Sequence, residues 1–271
     1  MKKIFNILAV FILLSSCSSF LEEKNKAGIN NDDLYKTKEG YQTLRVNAYS
    51  TLRNVFQEGP LILFAGTDVF QMPRGMNANG IYDYTNLNHE NGDVTTFYKN
   101  CYNAIQQVNT AIYYLDIADI SEEDKALYSA EYSFLLGFYH FILIEQFGGI
   151  VLNDEYTKET RINMPRSSLE DSYTFVIEKL NKALSGSLSQ TKNDGSICKD
   201  IVNHYLAKVY LTRGWDLGDK GDFKKAKEYA QAVMNSRGDL KYTMENLWSP
   251  SNENNDEVIF AIQYSDKSLP N

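Results

Sequence analysis

The fold is decided by one apolar stretch, residues 128–149, with the sequence YSAEYSFLLGFYHFILIEQFGG. Five of its apolar residues recur at helical steps of three and four and share one side: Tyr128, Tyr132, Leu135, Tyr139 and Leu143. Phe134, Phe138 and Phe141 lie on another side of the same predicted helix. A helix that is apolar nearly all round is buried at the centre of a protein. The stretch therefore predicts a mainly α-helical fold built around this helix, which Gly148 and Gly149 end.

Amphipathic segments flank the central helix on both sides. Apolar residues recur at helical spacing over 41–55, over 101–115 and over 173–184. Ser121 followed by Asp124, and Ser167 followed by Glu170, have the spacing of a helix-capping box. These patterns predict further helices before and after the central one.

Two more helices are predicted near 200–213 and 222–236, and together they resemble a tetratricopeptide repeat. The resemblance rests on small and aromatic residues at helix-packing positions: Ala207, Tyr210, Ala226, Ala230 and Val233. The fit requires an insertion of about seven residues between the two helices. Successive helix pairs bury their apolar faces only against their neighbours. The sequence thus predicts tetratricopeptide-like helix pairs packed into an α-superhelical domain with long loops.

The N-terminus has the features of an export signal. Lys2 and Lys3 precede an apolar run over 4–14, which is too short to cross a bilayer as a permanent helix, since about 20 apolar residues are needed. The following residues, 14–17, resemble the bacterial lipobox, in which the cysteine is lipidated and the peptide is cut just before it. We expect residues 1–16 to be a lipoprotein signal peptide, Cys17 the lipid anchor and residues 17–33 an acidic lipidated tether. The alternative is an ordinary secretory signal that is cut elsewhere.

Charge and motif content disfavour several functional classes. The formal net charge of −8 argues against nucleic acid as a partner. Apart from Cys17, only Cys101 and Cys198 remain, so no disulfide framework is predicted. The histidines lack metal-ligand spacing, and His140 on the central helix is expected to be a hydrogen-bonded core residue. With no catalytic motif present, the sequence predicts no catalytic residue, no metal, no cofactor and no enzymatic activity.

The segment 215–222 places aspartates at steps of three. Calcium prefers several oxygen ligands, so this spacing leaves a calcium site open, although the EF-hand spacing is absent. The alternative, which we favour, is a capped turn in which Asp222 is the N-cap of the following helix.

A long segment between Pro60 and Asp93 shows no helical or strand period and is the best candidate for a ligand site. Six of its residues suit carbohydrate recognition: Arg74, Asn77, Asn79, Tyr82, Tyr84 and Asn86. Tyrosine rings stack on the apolar faces of sugars, and amide or guanidinium groups match their hydroxyls. The same groups would suit a peptide backbone. The alternative is a surface loop with turn-forming Asn and Gly.

The order and spacing of these signals resemble the SusD/RagB family, surface lipoproteins of Bacteroidetes that work in nutrient uptake. Six segments carry the resemblance: residues 17–22, 98–109, 131–149, 165–168, 206–211 and 255–260. A departure occurs at Leu136 and Gly137, where the family usually has Arg-Ala, which puts a local ion pair in doubt. Because the family continues for a long C-terminal half, we expect residues 34–271 to be the N-terminal SusD-like helical domain, with the C-terminal half missing.

The resemblance implies a binding protein. Such a protein captures a glycan, or in RagB-like members a peptide, and delivers it to a SusC-like TonB-dependent transporter barrel in the outer membrane. Glu22 and Glu23, soon after the anchor, look like the signal that places these lipoproteins at the cell exterior. The alternative from another class is a helical-repeat lipoprotein that scaffolds protein partners and has no nutrient ligand.

Overall fold

The structure, a computed structural model, describes residues 31–56, 61–70, 80–85, 87–159, 161–192 and 194–264. The chain divides into two compact units, Met1–Leu34 and Tyr35–Asn271. Of the first unit the structure describes a single short helix, α1 (Asn31–Leu34). The predicted signal peptide and Cys17 lie outside the described residues.

The second unit is helical. Its helices, in chain order, are α2 (Lys38–Phe56), α3 (Leu61–Phe64), α4 (Gly92–Leu115), α5 (Glu122–Phe147), α6 (Leu169–Leu184), α7 (Lys199–Leu217), α8 (Lys220–Arg237) and α9 (Met244–Leu247), followed by a 3-10 turn (Pro250–Asn252). The described residues include no strand. The predicted mainly α fold is confirmed.

The core is organised around α5, as the apolar stretch predicts. Helices α4 and α6 pack directly on α5, α2 packs on α4, and α7 packs on α6. The α5 side chains from Ala130 to Ile144 are buried without interruption. By length and composition α5 could cross a membrane, but 89% of its apolar window is buried inside the protein. It is therefore the core helix of this unit.

The pair α7–α8 has the predicted tetratricopeptide-like arrangement. Only Gly218 and Asp219 separate the two helices, so α8 folds directly back on α7. The rings of Tyr210 and Tyr229 stack across the pair, with centroids 5.6 Å apart and planes inclined by 8°. Burial of these facing surfaces is what holds the hairpin closed.

Asp222 is not the helix N-cap that the sequence suggested. Asp219 caps α8 instead, because its side chain accepts the backbone N–H of Gly221 at 2.8 Å. Asp222 is buried, and both of its oxygens accept hydrogen bonds from Arg213 at 2.6 Å. A bidentate guanidinium–carboxylate pair is strong and directional, so Asp222 joins α7 to α8 rather than capping the start of α8.

Of the two predicted serine caps, one is confirmed and the other is wrong by one residue. Ser121 accepts the backbone N–H of Asp124 at 3.1 Å and begins α5, as its spacing predicts. The start of α6 is shifted by one residue from the predicted box, because Ser168, and not Ser167, accepts the N–H of Asp171 at 3.0 Å. Adjacent serines make the two registers indistinguishable in the sequence.

His140 is a core histidine, as predicted. Its Nδ1 lies 2.8 Å from the carbonyl oxygen of Leu136, and its Nε2 accepts the backbone N–H of Asn153 at 3.3 Å. Burial lowers the pKa of His140 to about 4. The ring is therefore neutral at physiological pH, with its proton on Nδ1, and it ties the segment after α5 back to the core.

Candidate ligand-binding groove

An open groove of about 630 Å³ lies between α3, the first turns of α4, the end of α5 and the segment 80–89. Apolar and aromatic side chains form most of its walls: Ile62, Ile81, Tyr84, Leu87, Tyr98 and Phe147. Its volume falls in the range of small-molecule sites, which are concave and mostly apolar with a few polar groups. It occupies the region that the sequence singled out as a ligand site.

The position of α4 creates one wall of the groove. Asn91 begins the helix, because its side chain accepts the backbone N–H groups of Asp93 and Val94 at 3.0 and 3.3 Å. The helix thus starts well before the apolar stripe that predicted it. Its added first turns bring Val94 and Tyr98 to the groove.

Tyr84 lines the groove, and a hydrogen bond from its hydroxyl fixes the position of its ring. Its hydroxyl donates a hydrogen bond of 2.6 Å to the carbonyl oxygen of Gly66. A Cβ on Gly66 would lie 2.7 Å from that hydroxyl oxygen, and Gly66 has φ +78°, so only glycine fits this close approach. Tyr84 itself has φ 62° and leaves 62% of its surface exposed. The ring is positioned by its hydroxyl yet accessible to a ligand.

Tyr98 and Phe147 form an aromatic corner in the lining of the groove. Their ring centroids are 5.2 Å apart with the planes at 90°. The ring centroids of Tyr98 and Tyr102 are 4.7 Å apart. The Tyr102 hydroxyl donates a hydrogen bond of 2.8 Å to the carbonyl oxygen of Val151. Neighbouring rings and this bond restrict how Tyr98 can turn, while 36% of its surface stays exposed. The corner offers a preformed aromatic face.

Polar groups are confined to the remaining lining: Asn88, His89, Thr95, Lys99 and Gln146. Among the described lining residues, Lys99 carries a positive charge and none is a carboxylate. The described part of the chain also holds no group of three His, Cys, Asp or Glu that could bind a metal. The arrangement suits ligand binding by stacking and hydrogen bonding.

The predicted site residues divide into three groups. Tyr84 lines the groove, as a ligand-binding role requires. Tyr82 is 39% exposed but is not one of the described residues that line it. The others lie outside the described residues: Arg74, Asn77, Asn79 and Asn86. The sequence did not predict Tyr98 and Phe147 as site residues, because their helical spacing matches that of ordinary core positions.

Comparison with known proteins places this chain in a family. A SusD-like family model, described as "Starch-binding associating with outer membrane", matches residues 19–211. A SusD-like protein of Bacteroides ovatus is 30% identical over 172 residues, which cover 60% of this chain and 31% of that protein.

Solved structures share the fold. B. fragilis NanU superposes with a TM-score of 0.74 at 22% identity, over 90% of this chain and 51% of that one. A protein solved with a xylogluco-oligosaccharide gives a TM-score of 0.70 at 26% identity, over 82% of this chain and 46% of that one. This chain therefore spans about half the length of these solved relatives. With the family model matched over most of its residues, the chain belongs to the SusD-like family.

Proposed function

We propose that this protein binds a glycan in the groove between α3, α4 and α5 and delivers it to a SusC-like TonB-dependent transporter in the outer membrane. The observation that carries the proposal is the pair of exposed, positioned tyrosines, Tyr84 and Tyr98, that line one open groove. Tyrosine rings stack on the C–H surfaces of sugar rings, and the polar rim can match hydroxyls. The relative solved with a xylogluco-oligosaccharide supports this ligand class. Binding without catalysis is part of the proposal.

The expected result in a binding experiment is a weak, stacking-dependent affinity. Each stacked ring contributes about 0.5–1.5 kcal/mol beyond burial, and each neutral hydrogen bond nets about as much, so this groove should bind in the millimolar range. Calorimetry or affinity electrophoresis against a panel of polysaccharides should detect binding by the wild-type chain. Tyr84→Ala combined with Tyr98→Ala should weaken it at least about fivefold.

Tyr82→Ala is the matched control, since it removes a partly exposed tyrosine from the same segment that does not line the groove. It should leave the affinity within about twofold of wild type, as a surface substitution away from the ligand does. If wild type and the Tyr84/Tyr98 variant bind equally well, the groove is not the ligand site. If the protein binds peptides but none of the polysaccharides, the proposed ligand becomes a peptide, which is the alternative that the sequence left open.

We further propose that residues 1–16 are a lipoprotein signal peptide, that Cys17 carries the lipid and that residues 34–271 form the N-terminal SusD-like domain facing the cell exterior. Cys17→Ala should move the protein from the membrane fraction to the soluble fraction, because acyl chains supply the membrane affinity. Metabolic labelling with a radioactive fatty acid should mark wild type and not the variant. An unlabelled wild-type protein would contradict the anchor.

The transporter partnership has its own test. If the protein works with a SusC-like barrel, the two should co-purify from detergent-solubilised outer membranes through an affinity tag on the barrel. Cys17→Ala tests the anchor's contribution, because membrane anchoring raises the effective concentration of the two partners. Failure to recover the pair at any detergent concentration that keeps the barrel folded would argue against delivery.

A helical-repeat scaffold is the second candidate function, and exposed apolar residues on α7 and α8 favour it. Leu211 and Trp215 on α7 and Met234 on α8 are exposed, with Trp215 75% accessible. Exposed large apolar residues on helix pairs are typical of surfaces that bind proteins. Loss of a co-purified protein partner in Trp215→Ala, together with no glycan binding by wild type, would favour the scaffold.

A further inference from the structure

We infer that the groove prefers a glycan that carries acyl esters, such as acetyl groups, and that it buries an acyl methyl against Ile81, Leu87 and Val94. This inference rests on the proposed function and adds the substituent that the site selects. Three features of the groove support it: its aliphatic surface, the hydrogen-bonding character of its rim and its volume.

The aliphatic surface is the first feature. Ile81 is buried, Ile62 and Val94 are half-buried, and Leu87 is 46% exposed, and all four line the groove. Aliphatic side chains neither accept nor donate hydrogen bonds. A sugar hydroxyl that contacts them therefore loses its hydrogen bonds to water and gains none in return, which costs free energy. A methyl group in the same place gains from leaving water. The aliphatic wall therefore favours a ligand in which some hydroxyls are capped.

The rim is the second feature. Lys99 has an ammonium group that only donates hydrogen bonds, and the described lining contains no carboxylate that would only accept them. The other polar lining residues can do either: Asn88, His89, Thr95 and Gln146. Acylation turns a sugar hydroxyl, which donates and accepts, into an ester, which only accepts. An ester carbonyl directed at Lys99 or at the Gln146 amide thus satisfies the rim while its methyl faces the aliphatic wall.

The volume of the groove is the third feature. A flat stacking platform for an unsubstituted sugar needs no concave space, whereas this open groove offers about 630 Å³ beside its aromatic residues. Sites of this size bury most of a small ligand's surface. Substituents that project from a stacked ring would occupy this space, which Ile81 and Val94 both line.

The experiment compares one polysaccharide in two forms. Acetylated glucomannan and the same sample deacetylated by mild alkali are titrated into the full chain, purified in detergent, by calorimetry. One buried methyl corresponds to about a fourfold gain in affinity, so the acetylated form should bind roughly 4–10 times more tightly. Leu87→Asn should reduce this preference to less than about twofold.

The substitutions are chosen so that the variants still fold, and a change in binding then reports on the groove. Leu87 is partly exposed, so its replacement by asparagine should preserve the fold, and Val94→Thr is a second variant of nearly unchanged shape. Leu240→Asn makes the same chemical change at a leucine that is 83% exposed and does not line the groove. It should retain the full preference for the acetylated form. Thermal unfolding verifies that each variant is folded.

The outcomes separate this inference from the function on which it rests. Equal binding of both forms by wild type would overturn the acyl preference and leave glycan binding intact. A preference that survives in folded Leu87→Asn and Val94→Thr would overturn the assignment of the aliphatic wall. Absence of binding to either form and to the rest of the polysaccharide panel would overturn the inference together with the proposed function.

Discussion

Phe138→Ala is expected to lower the free energy of unfolding by about 3–5 kcal/mol, which is the usual cost of truncating a buried phenylalanine. Phe138 is 2% exposed and lies at the centre of an aromatic cluster. Its ring contacts Phe134, Tyr205 and Phe260 at centroid distances of 5.9, 5.1 and 6.2 Å. Because these partners come from α5, α7 and the segment after α9, the cavity would be lined by elements that cannot all collapse into it.

Denaturant unfolding followed by circular dichroism measures this loss. Phe64→Ala is the matched control, because Phe64 is 53% exposed and its truncation should change the free energy of unfolding by less than about 0.5 kcal/mol. A loss below about 1 kcal/mol for Phe138→Ala would mean that its side chain faces solvent, contrary to the packing described here.

Asp200→Ala is expected to cost a similar amount, about 3–5 kcal/mol, by leaving a buried cation without its partner. Asp200 is fully buried and accepts a hydrogen bond from Nε of Arg237 at 3.1 Å. Gln190 and Thr191 also donate to its carboxylate, at 2.8 and 2.6 Å. Arg237 in turn donates to the carbonyl oxygens of Asp256 and Val258. Loss of the carboxylate should therefore destabilise both the helix pair and the segment that follows it.

The same chain offers an exposed ion pair for comparison. Lys241 and Asp256 lie 3.4 Å apart with more than half of each side chain accessible. Asp256→Ala should cost only about 0–1 kcal/mol, because solvent screens exposed pairs. Adding Arg237→Met to Asp200→Ala should recover stability, since it removes the unpaired charge. If the double variant were less stable than Asp200→Ala alone, the bonds from Arg237 to the later segment, rather than its charge, would dominate.

The candidate site was only partly predictable from the sequence. Tyr84 was identified because aromatic residues in a long aperiodic segment have few structural roles, and it does line the groove. Tyr98 and Phe147 lie on helices, where an aromatic residue at helical spacing is usually a core residue, so nothing local marked them as surface groups. Their contribution depends on where α4 and α5 end relative to the segment 80–89, which is a long-range property.

By itself, the sequence determined the helical class and the identity of the central helix. Apolar residues nearly all round 128–147 leave no face for solvent, so that segment must be enclosed by its neighbours. Only the tertiary structure decided which charged residues are buried and where the groove opens. Asp200 and Asp222 look like surface carboxylates in the sequence, yet each is buried and paired with a guanidinium from the other helix of the α7–α8 pair. Periodicity records which face of a helix avoids water, but a salt bridge or a cleft depends on how separate helices meet in space.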